Sequence, residues 1–112
     1  MNVKYESLVN QETGKALKNC HVIWSSESDI GGDLVLYSYG TPVCEISINS
    51  QFIKFIDSWN YNNTITKQFK MFICNYTGRR ADITTDEIKE WIRSGHSDTD
   101  NYYSEKYEII TN

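Results

Sequence analysis

Residues 33–57 read DLVLYSYGTPVCEISINSQFIKFID, three short runs rich in apolar residues separated by two clusters of turn formers. In the first run, Asp33 to Tyr39, Val35, Tyr37 and Tyr39 point one way and Leu34 and Leu36 the other. Neither face is wholly polar, the pattern of a strand covered on one side and partly covered on the second. Gly40-Thr41-Pro42 closes a tight connection, because Gly tolerates turn dihedrals and Pro is acceptable at a strand's first residue. Val43 to Ile48 returns, with Cys44, Ile46 and Ile48 alternating against Val43, Glu45 and Ser47 and marking the buried face. After the Asn49-Ser50 turn, Gln51 to Asp57 reads as a third strand, or as a short helix, since Phe52, Phe55 and Ile56 also fit a helical stripe.

Upstream, His21 to Trp24 is a β-prone run, ended by the turn-favouring stretch Ser25 to Asp29 and by Gly31-Gly32. Residues 1–19 are a weakly patterned N-terminal arm, a short helix or an irregular segment broken at Gly14. Downstream, the knuckle Trp59 to Asn63 leads into a helix capped by Asn63 or Thr64. Ile65, Phe69, Phe72, Ile73 and Tyr76 share one arc of that helix, with Lys67, Lys70 and Cys74 opposite and Gly78 placed to end it. In the next helix Thr84 and Glu87 form a capping box and Ile83 with Ile88 a hydrophobic staple, while Ile88, Trp91 and Ile92 face inward and Gly95 stops it. Residues 97–112 form a polar tail in which Glu105 to Ile110 is an edge strand or a segment that orders against a partner. The expected fold is α+β: an antiparallel three- to four-stranded meander from about His21 to Asp57, packed by two C-terminal helices, in a single domain over 1–112.

A chain of 112 residues suits one hydrophobic core. With 13% aromatic and 23% charged residues it has the profile of a folded domain and not of a disordered tail. The first residues carry no apolar secretory run and nowhere do 18 apolar residues follow one another, so the expected location is the cytoplasm. Three widely spaced cysteines, Cys20, Cys44 and Cys74, suit reduced thiols.

Charge is unevenly distributed around the net value of −4. From Ser58 to Ala81 the chain holds Lys67, Lys70, Arg79 and Arg80 and no acid; from Asp82 to Glu108 eight carboxylates face three bases. Such asymmetry points to partner surfaces. Catalysis is not expected: His21 and His96 are the only histidines, a general base needs a nucleophile and an orienting group within reach, and Ser94-Gly95-His96-Ser97 lies at a helix end, where a loop histidine is usually solvated or near the C-terminal dipole. Cys20, His21, Cys44 and Cys74 have none of the usual zinc spacings, and Gly31-Gly32 lacks the following Lys-Ser/Thr of a phosphate loop, so neither a metal nor a cofactor is expected.

Two patterns resemble a small domain family of unknown function from bacteriophages and mobile elements of Gram-positive bacteria. They are the hairpin Leu36 to Val43, LYSYGTPV, and the helix entry Trp59 to Lys67, WNYNNTITK; the resemblance spans about Asp33 to Ile73 and departs at Ile65, where Thr would be usual. It implies an α+β fold and a non-enzymatic protein similar to anti-CRISPR inhibitors, whose partner is a host protein or nucleoprotein complex such as a CRISPR effector nuclease. An acidic, Tyr-rich surface formed by Asp98, Asp100, Tyr102, Tyr103, Glu105, Tyr107 and Glu108 suits that role, since tyrosines anchor interfaces and carboxylates pair with arginines of a cationic channel. The alternative is a nucleic-acid-binding or regulatory protein, with Lys67, Lys70, Arg79 and Arg80 along phosphates and Trp59 or Tyr61 as stacking platforms.

Overall fold

The computed structural model describes residues 1–56, 62–77, 83–97 and 107–111. Its elements run β1 (Asn2–Glu6), β2 (Cys20–Ser26), β3 (Asp33–Ser38), β4 (Thr41–Ser47), β5 (Phe52–Phe55), α1 (Asn63–Thr77), α2 (Thr85–Ser94) and β6 (Glu108–Thr111). The six strands form one sheet whose spatial order is the chain order, β1-β2-β3-β4-β5-β6. Neighbours from β1 to β5 are antiparallel, whereas β6 lies parallel to β5. Parallel neighbours cannot be joined by a tight turn, and the connection between them contains both helices.

The α+β class and the meander are as the sequence predicts, and two features differ. The sheet has six strands, not three or four: the N-terminal arm contributes β1, which its pattern does not predict, while the edge strand offered for Glu105 to Ile110 forms as β6 at Glu108–Thr111. The helices accordingly lie between β5 and β6, and the closing strand pairs parallel to its neighbour, a direction the sequence does not indicate. Residues 51–57, ambiguous between strand and helix, supply β5, whose Ile53 pairs with Ile46 of β4 and places a fully buried side chain beside it.

Alternation along the strands sorts the sheet into two faces. Cross-strand rows Val22–Leu36–Cys44–Phe55 and Trp24–Leu34–Ile46–Ile53–Ile109 line the inner face, where all but Trp24 are buried. Phe69, Phe72 and Ile73 of α1 and Ile88 and Trp91 of α2 join the same core. Phe55 and Phe69 meet edge to face, with ring centroids 4.9 Å apart. Beneath the helix, the Ser38 hydroxyl donates to Gln68 Oε1 at 2.6 Å, and Gln68 Nε2 donates to the Lys18 carbonyl at 3.1 Å. These bonds satisfy a polar pair inside an apolar layer.

α1 is buried over a wider arc than its apolar stripe predicts. Thr66, Gln68, Met71 and Cys74 are buried in addition to Phe69, Phe72 and Ile73, so Cys74 does not lie on an open side opposite the core. The reason is the β1–β2 connection, which folds across the end of the helix: Leu8 enters the core, Gln11 Nε2 donates to the Cys74 carbonyl, and Asn75 Nδ2 donates to the Val9 carbonyl. The helix start is set one residue earlier than expected, by Asn62, whose Oδ1 accepts from the Ile65 N–H at 2.9 Å. Trp59, Asn60 and Tyr61 of the knuckle, and Gly78, lie outside the described residues.

α2 follows its sequence signals closely. Thr84 Oγ1 accepts from the Glu87 N–H, Ile83 and Ile88 are both buried, and Gly95 ends the helix at φ 84° with its N–H on the Trp91 carbonyl. The β3–β4 hairpin turns at Tyr39 (φ 51°) and Gly40 (φ 80°), between the paired residues Ser38 and Thr41. Positive φ at both positions gives the turn whose twist suits adjoining strands. Pro42 then sits opposite Tyr37 at a register shift, where a missing ladder donor costs least.

Candidate partner-binding surfaces

The helices lie on one face of the sheet, so the other face is where β-strand side chains meet solvent. Its composition is unusual for an open face. One row across all six strands is Tyr5–Ile23–Val35–Glu45–Lys54–Ile110, and a second is Val3–Ser25–Asp33–Ser47–Phe52–Glu108. Val3 and Tyr5 are 58% and 67% exposed; Ile23, Val35, Phe52 and Ile110 are half-buried by their neighbours alone. Among the described residues no helix covers this face, and its exposed apolar side chains, Val3 and Tyr5, make it a candidate contact surface.

An aromatic stack stands on this face. The His21 imidazole lies between two phenol rings, 4.7 Å from Tyr5 at 18° and 5.1 Å from Tyr37 at 6°. His21 and Tyr37 are directly opposite across β2 and β3, and Tyr5 reaches His21 on the diagonal from its own partner Ile23. Three flat rings held by neighbouring strands lose little freedom on binding, and tyrosine supplies both apolar area and a hydroxyl. Asp33, Glu45 and Glu108 bring carboxylates to the same face, with Lys54 between Glu45 and Ile110.

The predicted acidic surface is only partly described. Asp98, Asp100, Tyr102, Tyr103 and Glu105 lie outside the described residues. Tyr107 is 4% exposed and packs in the core, where its N–H donates to Ser97 Oγ at 2.8 Å and its carbonyl accepts from the Ser97 N–H. Glu108 is exposed and faces outward from β6, beside Phe52. It therefore belongs with the sheet face.

Of the alternative basic set, Lys67 and Lys70 border an open groove of about 390 Å3 that reaches Ile83 and Thr85 at the start of α2. Arg79, Arg80, Trp59 and Tyr61 lie outside the described residues. A second depression, of about 260 Å3, is lined by Glu87, Glu90, Trp91, Ser94 and His96. Glu90 is held there by a bidentate ion pair with Arg93, both side chains exposed.

The cysteines occupy separate environments. Cys44 and Cys74 are buried and Cys20 is half-buried. Burial pushes the Cys44 thiol well up from its usual range, with the neighbouring Glu45 charge adding to the effect, and burial raises Cys20 as well. Tyr76, in the last turn of α1, donates to Glu6 Oε2 of the edge strand β1 at 2.6 Å; burial first, then the Glu6 carboxylate, raises its phenol above the normal range.

Sequence reasoning reached this surface in one respect, the mixed character of β3, where Val35 and Tyr37 alternate with Leu34 and Leu36. It missed His21 and Tyr5, whose grouping with Tyr37 depends on the register of three strands. Among the described residues no helix is long and apolar enough to cross a membrane. Comparison of the chain with protein-family models, with curated proteins and with solved structures gives no match.

Proposed function

We propose that this is a non-enzymatic binding protein of a phage or mobile element, which inhibits a host defence machine by occupying one of its surfaces with the outer face of the sheet. The observation that carries the reading is the Tyr5–His21–Tyr37 stack on a face that also presents Val3, Val35 and Ile110 and the carboxylates Asp33, Glu45 and Glu108. Rigid aromatic anchors surrounded by charge are the usual make-up of an interface that binds tightly and is steered by electrostatics. The resemblance over Asp33 to Ile73 supplies the phage-like setting and, with it, an anti-CRISPR-like role. Affinity capture from a Gram-positive host lysate, followed by mass spectrometry, tests it. A nuclease-containing defence complex is the expected companion, and recovery of metabolic enzymes alone would remove the inhibitor reading.

A nucleic-acid-binding role is the second reading, favoured by one observation: Lys67 and Lys70 flank a shared groove between α1 and the start of α2. Electrostatic binding of this kind weakens steeply with salt. Retention of single- or double-stranded nucleic acid by the isolated protein in a low-salt gel shift, lost in Lys67→Glu/Lys70→Glu, would favour it over inhibition by surface occupation.

A further inference from the structure

β1 ends the sheet, and the side of its backbone turned away from β2 has no strand against it among the described residues. Asn2 to Tyr5 are all exposed, and the strand contains neither Pro nor a bulge; what guards this edge against pairing is its shortness and its inward-facing charges. Its charged residues, Lys4 and Glu6, are on the helix-covered side of the sheet, where Lys4 Nζ lies 5.2 Å above the Trp24 ring and Glu6 accepts from Tyr76. Val3 and Tyr5 point to the outer side.

This arrangement is complementary to itself under a two-fold rotation. Antiparallel pairing of β1 with β1 of a second copy must keep inner residues opposite inner residues, which restricts the register to steps of two. Centred on Lys4, the pairing opposes two ammonium groups, a destabilising arrangement. Centred on Tyr5, it sets Lys4 against Glu6 of the second copy and Glu6 against Lys4, two ion pairs related by symmetry. The Tyr5 ring leans inward onto its own His21 and leaves the axis uncrowded.

We propose that the protein forms a two-fold homodimer through β1, in the register that places Tyr5 opposite Tyr5 of the second copy and pairs Lys4 with Glu6 across the axis. The dimer continues the sheet to twelve strands and sets two outer faces side by side. It is independent of which macromolecule that face binds.

Cysteine cross-linking reads the register. Directly opposed residues have Cβ atoms about 4.5–5.5 Å apart, within reach of a disulfide. Under mild oxidation Tyr5→Cys becomes a covalent dimer. Val3→Cys and Lys4→Cys, about 14 and 8 Å from their symmetry mates in this register, remain at the background of the parent chain. By sedimentation equilibrium the parent chain is dimeric, Lys4→Glu raises the dissociation constant about tenfold, and Lys4→Glu/Glu6→Lys binds more tightly than either single variant. Exposed Tyr5 and Lys4 are replaceable without loss of the fold, which circular dichroism verifies. A monomeric parent chain, or Tyr5→Cys that cross-links no faster than Val3→Cys, overturns the proposal; preferential cross-linking of Lys4→Cys would replace the register by the Lys4-centred one. Because Lys4 lies on the helix side, its variants leave the outer face intact, and this proposal and the proposed function fail separately.

Discussion

The His21 imidazole lies 6° from parallel with the Tyr37 ring, centroids 5.1 Å apart, on the side of the sheet that the helices do not cover. Its other face carries Tyr5 at 4.7 Å. A stack of this kind contributes about 0.5–1.5 kcal/mol per pair beyond area burial. Replacing His21 by Ala removes both contacts and is expected to lower unfolding free energy by about 1–2 kcal/mol in urea denaturation. Replacing Tyr5 removes one contact and is expected to cost about half as much.

The buried Ser38–Gln68 pair is the polar counterpart beneath α1. Gln68→Leu leaves the Ser38 hydroxyl and the Lys18 carbonyl without this partner, and the expected loss is about 2–4 kcal/mol, more than one bond's net worth. Ser38→Ala/Gln68→Leu should recover part of it, because the hydroxyl no longer needs an acceptor. Urea titration of the two variants checks the order.

Two glycines with positive φ should respond very differently to the same substitution. At Gly40 (φ 80°) an added Cβ meets open space, and Gly40→Ala should cost about 1–2 kcal/mol of backbone strain alone. At Gly32 (φ 97°) the Cβ would lie 2.4 Å from the Ser25 carbonyl oxygen and 2.7 Å from the Ser26 Cβ, so β2 and β3 must separate locally. Thermal melts should place Gly32→Ala well below Gly40→Ala.

Tyr76 makes stability sensitive to alkali. Its folded-state pKa is raised by burial and by Glu6, so the protonated phenol contributes stability that is fully present below the unfolded value of about 10 and is lost as pH rises from there toward the folded pKa. Tyr76→Phe is expected to flatten the stability–pH curve above about pH 10 and leave its shape near neutrality unchanged, as followed by denaturation at stepped pH.

Much of this architecture is legible because local signals and tertiary packing agree. The Gly40 turn signal, the alternation in β4 and the Thr84–Glu87 capping box each announce their element without help from the rest of the chain, although the turn falls on Tyr39-Gly40 and not on Gly40-Thr41-Pro42, whose last two residues already belong to β4. β1 is hidden because its alternation is inverted: the charged residues Lys4 and Glu6 point inward to Trp24 and Tyr76, while Val3 and Tyr5 point outward. The direction of β6 is hidden for a different reason. Parallel pairing with β5 follows from where two helices return the chain, which no window of sequence around Glu108 encodes. The wide burial of α1 likewise depends on contacts from Leu8, Val9 and Gln11, more than 50 residues away. The grouping of side chains on the outer face is legible only in part, since a row of neighbours across strands exists only once the register is known.

The measurement that bears most directly on the outer face as the working surface is the affinity of three variants for the captured host complex, each first shown to fold by circular dichroism. They are Tyr5→Ala/Tyr37→Ala on the sheet, Lys67→Glu/Lys70→Glu on α1, and Asp98→Lys/Asp100→Lys/Glu105→Lys in the acidic segment. Two tyrosine anchors at about 2 kcal/mol each correspond to a loss of affinity of about a thousandfold in the first, with the other two within about threefold of the parent. A sheet-face variant that binds as tightly as the parent, or a loss confined to the acidic-segment variant, would contradict the account.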